Sequence, residues 1–245
     1  MEAAENPYGL IPALQQGGPI AWFLFAVLVL MSVTTFYIII TKFFEQRKLI
    51  AQADAAERGV WSAADLKTGS AKLDKNSAFR QLADDGLRAF DHHDGRLTDQ
   101  IDRHEWVTMS LNRSSTLISA RLQSGLSWLA SVGSTAPFIG LLGTVIGIYR
   151  ALVNIGLAGQ ASIDKVAGPV GEALIMTALG LFVAVPAVLG YNWLGRRNKR
   201  IQERLNSFAS DVHGYLMSGA RMAPTAPAAP VAGQTATATP KPVAK

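Results

Sequence analysis

"GPVGEALIMTALGLFVAVPAVLGYNW", Gly168 to Trp193, is the stretch on which the fold turns. It is apolar and longer than the ~20 residues that cross a bilayer, yet it carries Glu172. An ionised carboxylate in hydrocarbon costs several kcal/mol, so the group must face a cavity, find a partner or keep its proton. Counted from Ile163, Glu172 lies about 14 Å along a helix, well inside one leaflet rather than at its edge. Arg150 and Lys165 are the nearby cations, both expected closer to the outer surface. Two readings stand: a carboxyl that fixes helix contacts, or a cavity-facing group on a proton path.

Outside this stretch, charge is segregated along the chain. Residues 1–41 contain no Lys or Arg, and between Leu122 and Leu194 the only charges are Arg150, Asp164, Lys165 and Glu172. That pattern predicts an all-α integral membrane protein with spans at 19–41, 127–154 and 166–194. The third exceeds the needed length and should tilt or project. Basic residues cluster after the first span ("KFFEQRK") and the third ("RRNKR"), while the turn at 155–165 has only Lys165. By the positive-inside rule the N-terminal segment 1–18 and that turn lie outside. Segment 42–126 and the C-terminal helix 195–222 then lie in the cytoplasm. The opening residues have no basic n-region, so the first apolar run is expected to be retained as an anchor. The net charge of +5 is a topology signal, with no nucleic-acid partner implied.

The middle segment has a helical seam: Leu97, Ile101, His104, Thr108, Leu111, Ser115, Ile118 and Leu122 recur at threes and fours. Only Gly125 separates it from the second span, so one continuous helix is expected. Ile201, Leu205, Phe208, Val212 and Tyr215 repeat the spacing after the third span. The spans therefore extend into a cytoplasmic helical domain, with its turn signals in "AERGVWSAADLKTGSAKLDKNS". Residues 223–245, rich in Pro, Ala and Thr, are expected to be disordered.

The second span aligns Gly133, Ala136, Gly140, Gly143, Gly147, Ala151 and Asn154 on one face, with Thr144 close by. The third aligns Ala173, Thr177, Gly180, Ala184, Ala187 and Tyr191, opposite the bulky Leu174, Leu181, Phe182, Val185 and Leu189. Small faces in lipid permit close backbone approach, so they serve either helix packing or a smooth pore wall. Pro137 and Pro186 deprive the carbonyls of Gly133 and Phe182 of partners and predict kinks.

Soluble chemistry has little support. Cysteine is absent, which removes disulfides and thiolate chemistry. There is no Walker A loop, HExxH or G-x-S-x-G, so no enzyme, cofactor or metal site is expected. His92 and His93 read as exposed, and the "NRS" at Asn112 as inert on the cytoplasmic side.

"STAPFIGLLGTVIGIYRAL" and "VAGPVGEALIMTALGLFVAVPAVLGYNW" resemble the two signature segments of the ExbB/TolQ/MotA proton-channel family, densely over Ser131 to Trp193. The resemblance implies a homo-oligomeric ring, a pentamer, in the bacterial inner membrane. It implies a single-span partner of the ExbD/TolR type carrying a membrane aspartate, and a periplasm-spanning protein of the TonB/TolA type driven by proton flow. It places Thr144, Glu172 and Thr177 at the lumen and Pro137 and Pro186 at the family's proline positions. Two departures stand out: "AGPVGEAL" where the family reads closer to "APGIAEAL", and Arg150 at the end of span two.

Overall fold

The computed structural model describes residues 10–92, 101–158 and 163–220. Six helices follow in order: α1 Leu10–Gly59, α2 Leu66–Ala71, α3 Ala78–Asp91, α4 Arg103–Gln123, α5 Leu126–Ala158 and α6 Ile163–Ser218. No strand occurs among the described residues. Three helical stretches are long and apolar enough to cross a membrane, within α1, α4–α5 and α6. At 1.5 Å per residue, α1 and α6 run about 75 and 84 Å, so each outlasts a ~30 Å hydrocarbon core by more than half its length.

The excess length builds a second, extramembrane bundle. There α1, α3, α4 and α6 close on Phe79, Leu82, Val107, Leu111, Leu205, Phe208 and Val212, all buried. The expected α6 seam is seen: Ile201, Leu205, Phe208 and Val212 are buried, and Tyr215 packs partly buried against Trp61. On α4, Leu111, Ser115, Ile118 and Leu122 face the core, as their spacing predicts. Leu97, the first residue of that seam, lies outside the described residues, as does the tail from 223. The short α2 starts at Asp65, whose Oδ1 accepts from the Thr68 N–H at 2.6 Å, an N-cap that satisfies one orphan donor.

One sequence expectation needs correction. The seam helix and the second span are not one helix: α4 ends at Gln123 and α5 begins at Leu126. Gly125 at the break has φ +83°, a left-handed conformation that glycine adopts without Cβ cost. The carbonyls freed there find donors elsewhere. Lys42 Nζ donates to Arg121 O and Ser124 Oγ, each at 2.9 Å, and Asn198 Nδ2 donates to Leu122 O at 2.9 Å. A lone glycine in a helical pattern gives no warning of such rescue by distant side chains. The first span, expected from Pro19, follows directly on a break inside α1. Helix α1 starts at Leu10 and bends at Gly18, where φ is 63° and ψ −159°.

Helix α6 starts before the expected span boundary at 166 and runs through the swapped Gly168–Pro169 pair. Pro137 and Pro186 sit inside α5 and α6, which stay helical through them. Beside Pro137, Ser134 and Thr135 both bond back to Ser131 O, at 3.0 and 2.7 Å.

Candidate functional site

Helices α5 and α6 meet along their small faces. A Cβ built on Gly140 would lie 2.7 Å from Met176 O and 3.2 Å from the Cα atoms of Gly180 and Thr177. One on Gly180 would lie 2.8 Å from Ala136 O and 3.0 Å from Gly140 Cα. Gly143 faces Met176 Cβ, and Gly147 faces Pro169 O and Ala173. Ala173 and Ala184 are buried. The two stripes seen in the sequence thus cover each other within one chain. Gly140, Gly143, Gly147, Ala173, Gly180 and Ala184 thus pack between α5 and α6 of one chain. The bulky α6 face, Leu174, Leu181, Phe182, Val185 and Leu189, is exposed on the single chain.

Glu172 belongs to the buried side of α6, in line with Met176, Val183, Ala187 and Leu194 at spacings of four and seven. It is 3% exposed. Its Oε1 lies 3.9 Å from Arg150 Nη1, and its Oε2 has no hydrogen-bond partner. Arg150, at the far end of α5, also donates to the carbonyl of Gly17. Gly17 is itself pressed onto the acid: a Cβ there would collide with Glu172 Oε1. So the α1 bend, the end of α5 and the third turn of α6 converge on one carboxylate. Gln16 lies against Gly168 on the same side.

The cation in that cluster was legible as a nearby charge but not as the partner. Twenty-two positions separate Arg150 from Glu172 along the chain, and only the reversal between α5 and α6 brings them together. Gly17 carried no signal beyond the Gly-Gly-Pro of a turn. The two threonines lie elsewhere. Thr177 is at the α5–α6 crossing beside Gly140, with its Oγ1 unpartnered. Thr144 is half-buried and donates to Leu141 O at 2.6 Å within its own helix. Helix α5 exposes Leu141, Val145 and Ile148 around it. On the single chain, then, Glu172 faces the interior of the three-helix bundle, not an open surface shared with both threonines.

At the bundle end of the spans a polar lock joins the two regions. Gln46, fully buried, donates through Nε2 to Leu194 O at 3.0 Å and Asn198 Oδ1 at 2.6 Å. Arg197 stacks over Phe43 and Trp193, 5.3 and 5.0 Å from the ring centroids, a cation–π arrangement suited to the interface level. No cluster of three or more His, Asp or Glu that could hold a metal occurs among the described residues.

Comparison with known proteins agrees with this architecture. The family model described as "MotA/TolQ/ExbB proton channel family" matches residues 74–207. The Biopolymer transport protein ExbB of Xanthomonas campestris is 40% identical over 212 residues, covering 83% of this chain and 84% of that one. The protein of the same name from Neisseria meningitidis is 37% identical over 211 residues, covering 83% of this chain and 95% of the relative. The Tol-Pal system protein TolQ of Pseudomonas aeruginosa is 33% identical over 198 residues, 77% and 84% of the two chains. The family match over more than half the chain, and relatives this similar along most of their length, make it a multi-pass membrane subunit of ExbB/TolQ type. The chain belongs to the MotA/TolQ/ExbB proton channel family.

Proposed function

We propose that this chain is the inner-membrane proton-channel subunit of an ExbB-type motor. Copies form a pentameric ring around single-span helices of the ExbD/TolR kind. Proton flow through the ring drives a TonB-type protein that powers outer-membrane uptake. The observation that carries the reading is Glu172: a carboxylate buried in an apolar helical bundle, with one oxygen unpartnered. Intramembrane acids are costly, and proton relays are a recurrent reason to keep them. Thr177 and Thr144 complete the path in the assembled ring, and the basic ends of α1 and α6 set the cytoplasmic side. Each proton crossing 100 mV delivers about 2.3 kcal/mol, so useful force requires several steps.

Glu172→Ala tests this in cells. The expected result is loss of iron–siderophore-dependent growth with the oligomer still formed on a native gel. Collapse of the oligomer would assign Glu172 a purely architectural role. A second reading, a TolQ-like subunit serving envelope integrity, is favoured by the 33% identity to TolQ. Detergent sensitivity with normal siderophore growth in a deletion strain selects it. The ExbB reading is preferred because the ExbB-named relatives are 40% and 37% identical.

A further inference from the structure

Glu172 is sealed in by the residues just before the α1 bend. Helix α1 turns at Gly18, whose φ of 63° is open to glycine and strained for other residues. The preceding turns, Leu10 to Gly17, fold back so that Leu14 is 2% exposed among the bundle side chains. The Gly17 backbone lies directly on Glu172, and the Gln16 amide lies on Gly168. Arg150 bridges the arrangement, paired with Glu172 at 3.9 Å while donating to Gly17 O. On the single chain the carboxylate is 3% exposed with the Gly17 backbone against it, so displacing that backbone opens it. The joint on which the backbone can move is the Gly18–Pro19 bend, and the restraint holding it down is the Arg150 guanidinium.

We propose, resting on the proton-channel function above, that Leu10–Gly17 is a hinged cover over Glu172 and that Arg150 is the positioning residue that latches it. The chemistry suits this. Guanidinium presents several donors in a fixed fork, so one side chain binds a carboxylate and a peptide carbonyl together. Removing one partner of a buried ion pair leaves an uncompensated charge, which destabilises the closed arrangement strongly. When Glu172 takes a proton it ceases to be an anion, its hold on Arg150 weakens, and the cover loosens. Access and protonation are thereby linked through one contact.

The chain has no cysteine, so the cover can be locked and probed cleanly in the complex purified with its single-span partner. In Gln16→Cys with Gly168→Cys, a short reducible bis-methanethiosulfonate bridges the cover to α6. Proton flux in proteoliposomes is expected to fall when bridged and to return on reduction. Flux equal in the bridged and reduced forms overturns the cover. The latch is read by maleimide labelling of Leu14→Cys. Labelling is expected to speed at least about tenfold in Arg150→Gln, as for loss of a buried charge partner, with Arg150→Lys nearer the parent rate. Unchanged labelling in Arg150→Gln overturns the latch. Glu172→Gln flux separates the two levels: normal flux defeats the channel reading itself, whereas lost flux with a harmless bridge defeats only the cover.

Discussion

The membrane bundle and the extramembrane bundle are built from the same helices by opposite means. Where α5 and α6 cross at Gly140 and Gly180, backbone meets backbone, with a prospective Cβ only 2.7–3.2 Å from fixed atoms. Past Asn198, the same α6 packs through Ile201, Leu205, Phe208 and Val212 against Phe79, Leu82 and Leu111. Water explains the second design, since burying large apolar side chains removes surface from solvent. Lipid explains the first, because tails are as apolar as leucine and only close approach adds contact. Bulk is therefore stabilising in the extramembrane core and disruptive at the α5–α6 crossing.

The largest expected effect breaks that contrast directly. Gly180→Leu should prevent α5 and α6 from closing, because the opposing atoms are Ala136 O and Gly140 Cα, neither of which can rotate away. Size-exclusion chromatography of the purified protein should show loss of the monodisperse species; a normal profile would undo the comparison. Leu205→Ala, the reverse change in the other region, should cost about 2–5 kcal/mol as cavity creation in a water-facing core does. The thermal unfolding midpoint of the purified protein should drop, while Gly180→Ala lowers it through crowding instead. Gln46→Leu, at the boundary, strips the donor from Leu194 O and Asn198 Oδ1. A loss of about 1–3 kcal/mol is expected for unsatisfied buried polar groups, read by hydrogen exchange at the α4–α5 break.

The smallest effect is a pH dependence confined to the extramembrane bundle. His213 on α6 packs edge-on to His104 on α4, with centroids 4.5 Å apart. Burial first, then the neighbouring His104, hold its pKa below the ordinary 6.5. A base with a lowered folded value binds its proton more readily when unfolded. Its stabilising contribution is whole above about pH 6.5 and is lost as pH falls below that toward the folded value. The thermal midpoint should therefore decline between neutral and mildly acidic pH, and His213→Gln should flatten the decline. An unaltered slope would show that the pair does not contribute.

Much of this was legible in the chain. Charge segregation located three spans, and the seams at Leu111–Leu122 and Ile201–Val212 marked the faces that are buried. Periodicity is a local property and survives folding. Glu172 stood out because an acid in an apolar run is unusual on any reading. What the sequence left open were pairings. Two small-residue stripes could line a pore or clasp each other, and only their register shows that they clasp. The break at Gly125 depends on Lys42 and Asn198, which lie 83 and 73 positions away by residue number. The Arg150–Glu172 contact and its seat under Gly17 likewise join three helices. Such contacts have no period to read.

If Glu172 carries protons through a membrane ring, as proposed, its substitution must stop proton flux. The purified complex, with and without Glu172→Gln, is reconstituted into liposomes under an imposed pH gradient and membrane potential, with ring assembly checked by native mass spectrometry. The expected result is an intact Glu172→Gln ring whose proton flux falls to that of empty liposomes. An intact ring that conducts as fast as the unsubstituted protein would contradict it.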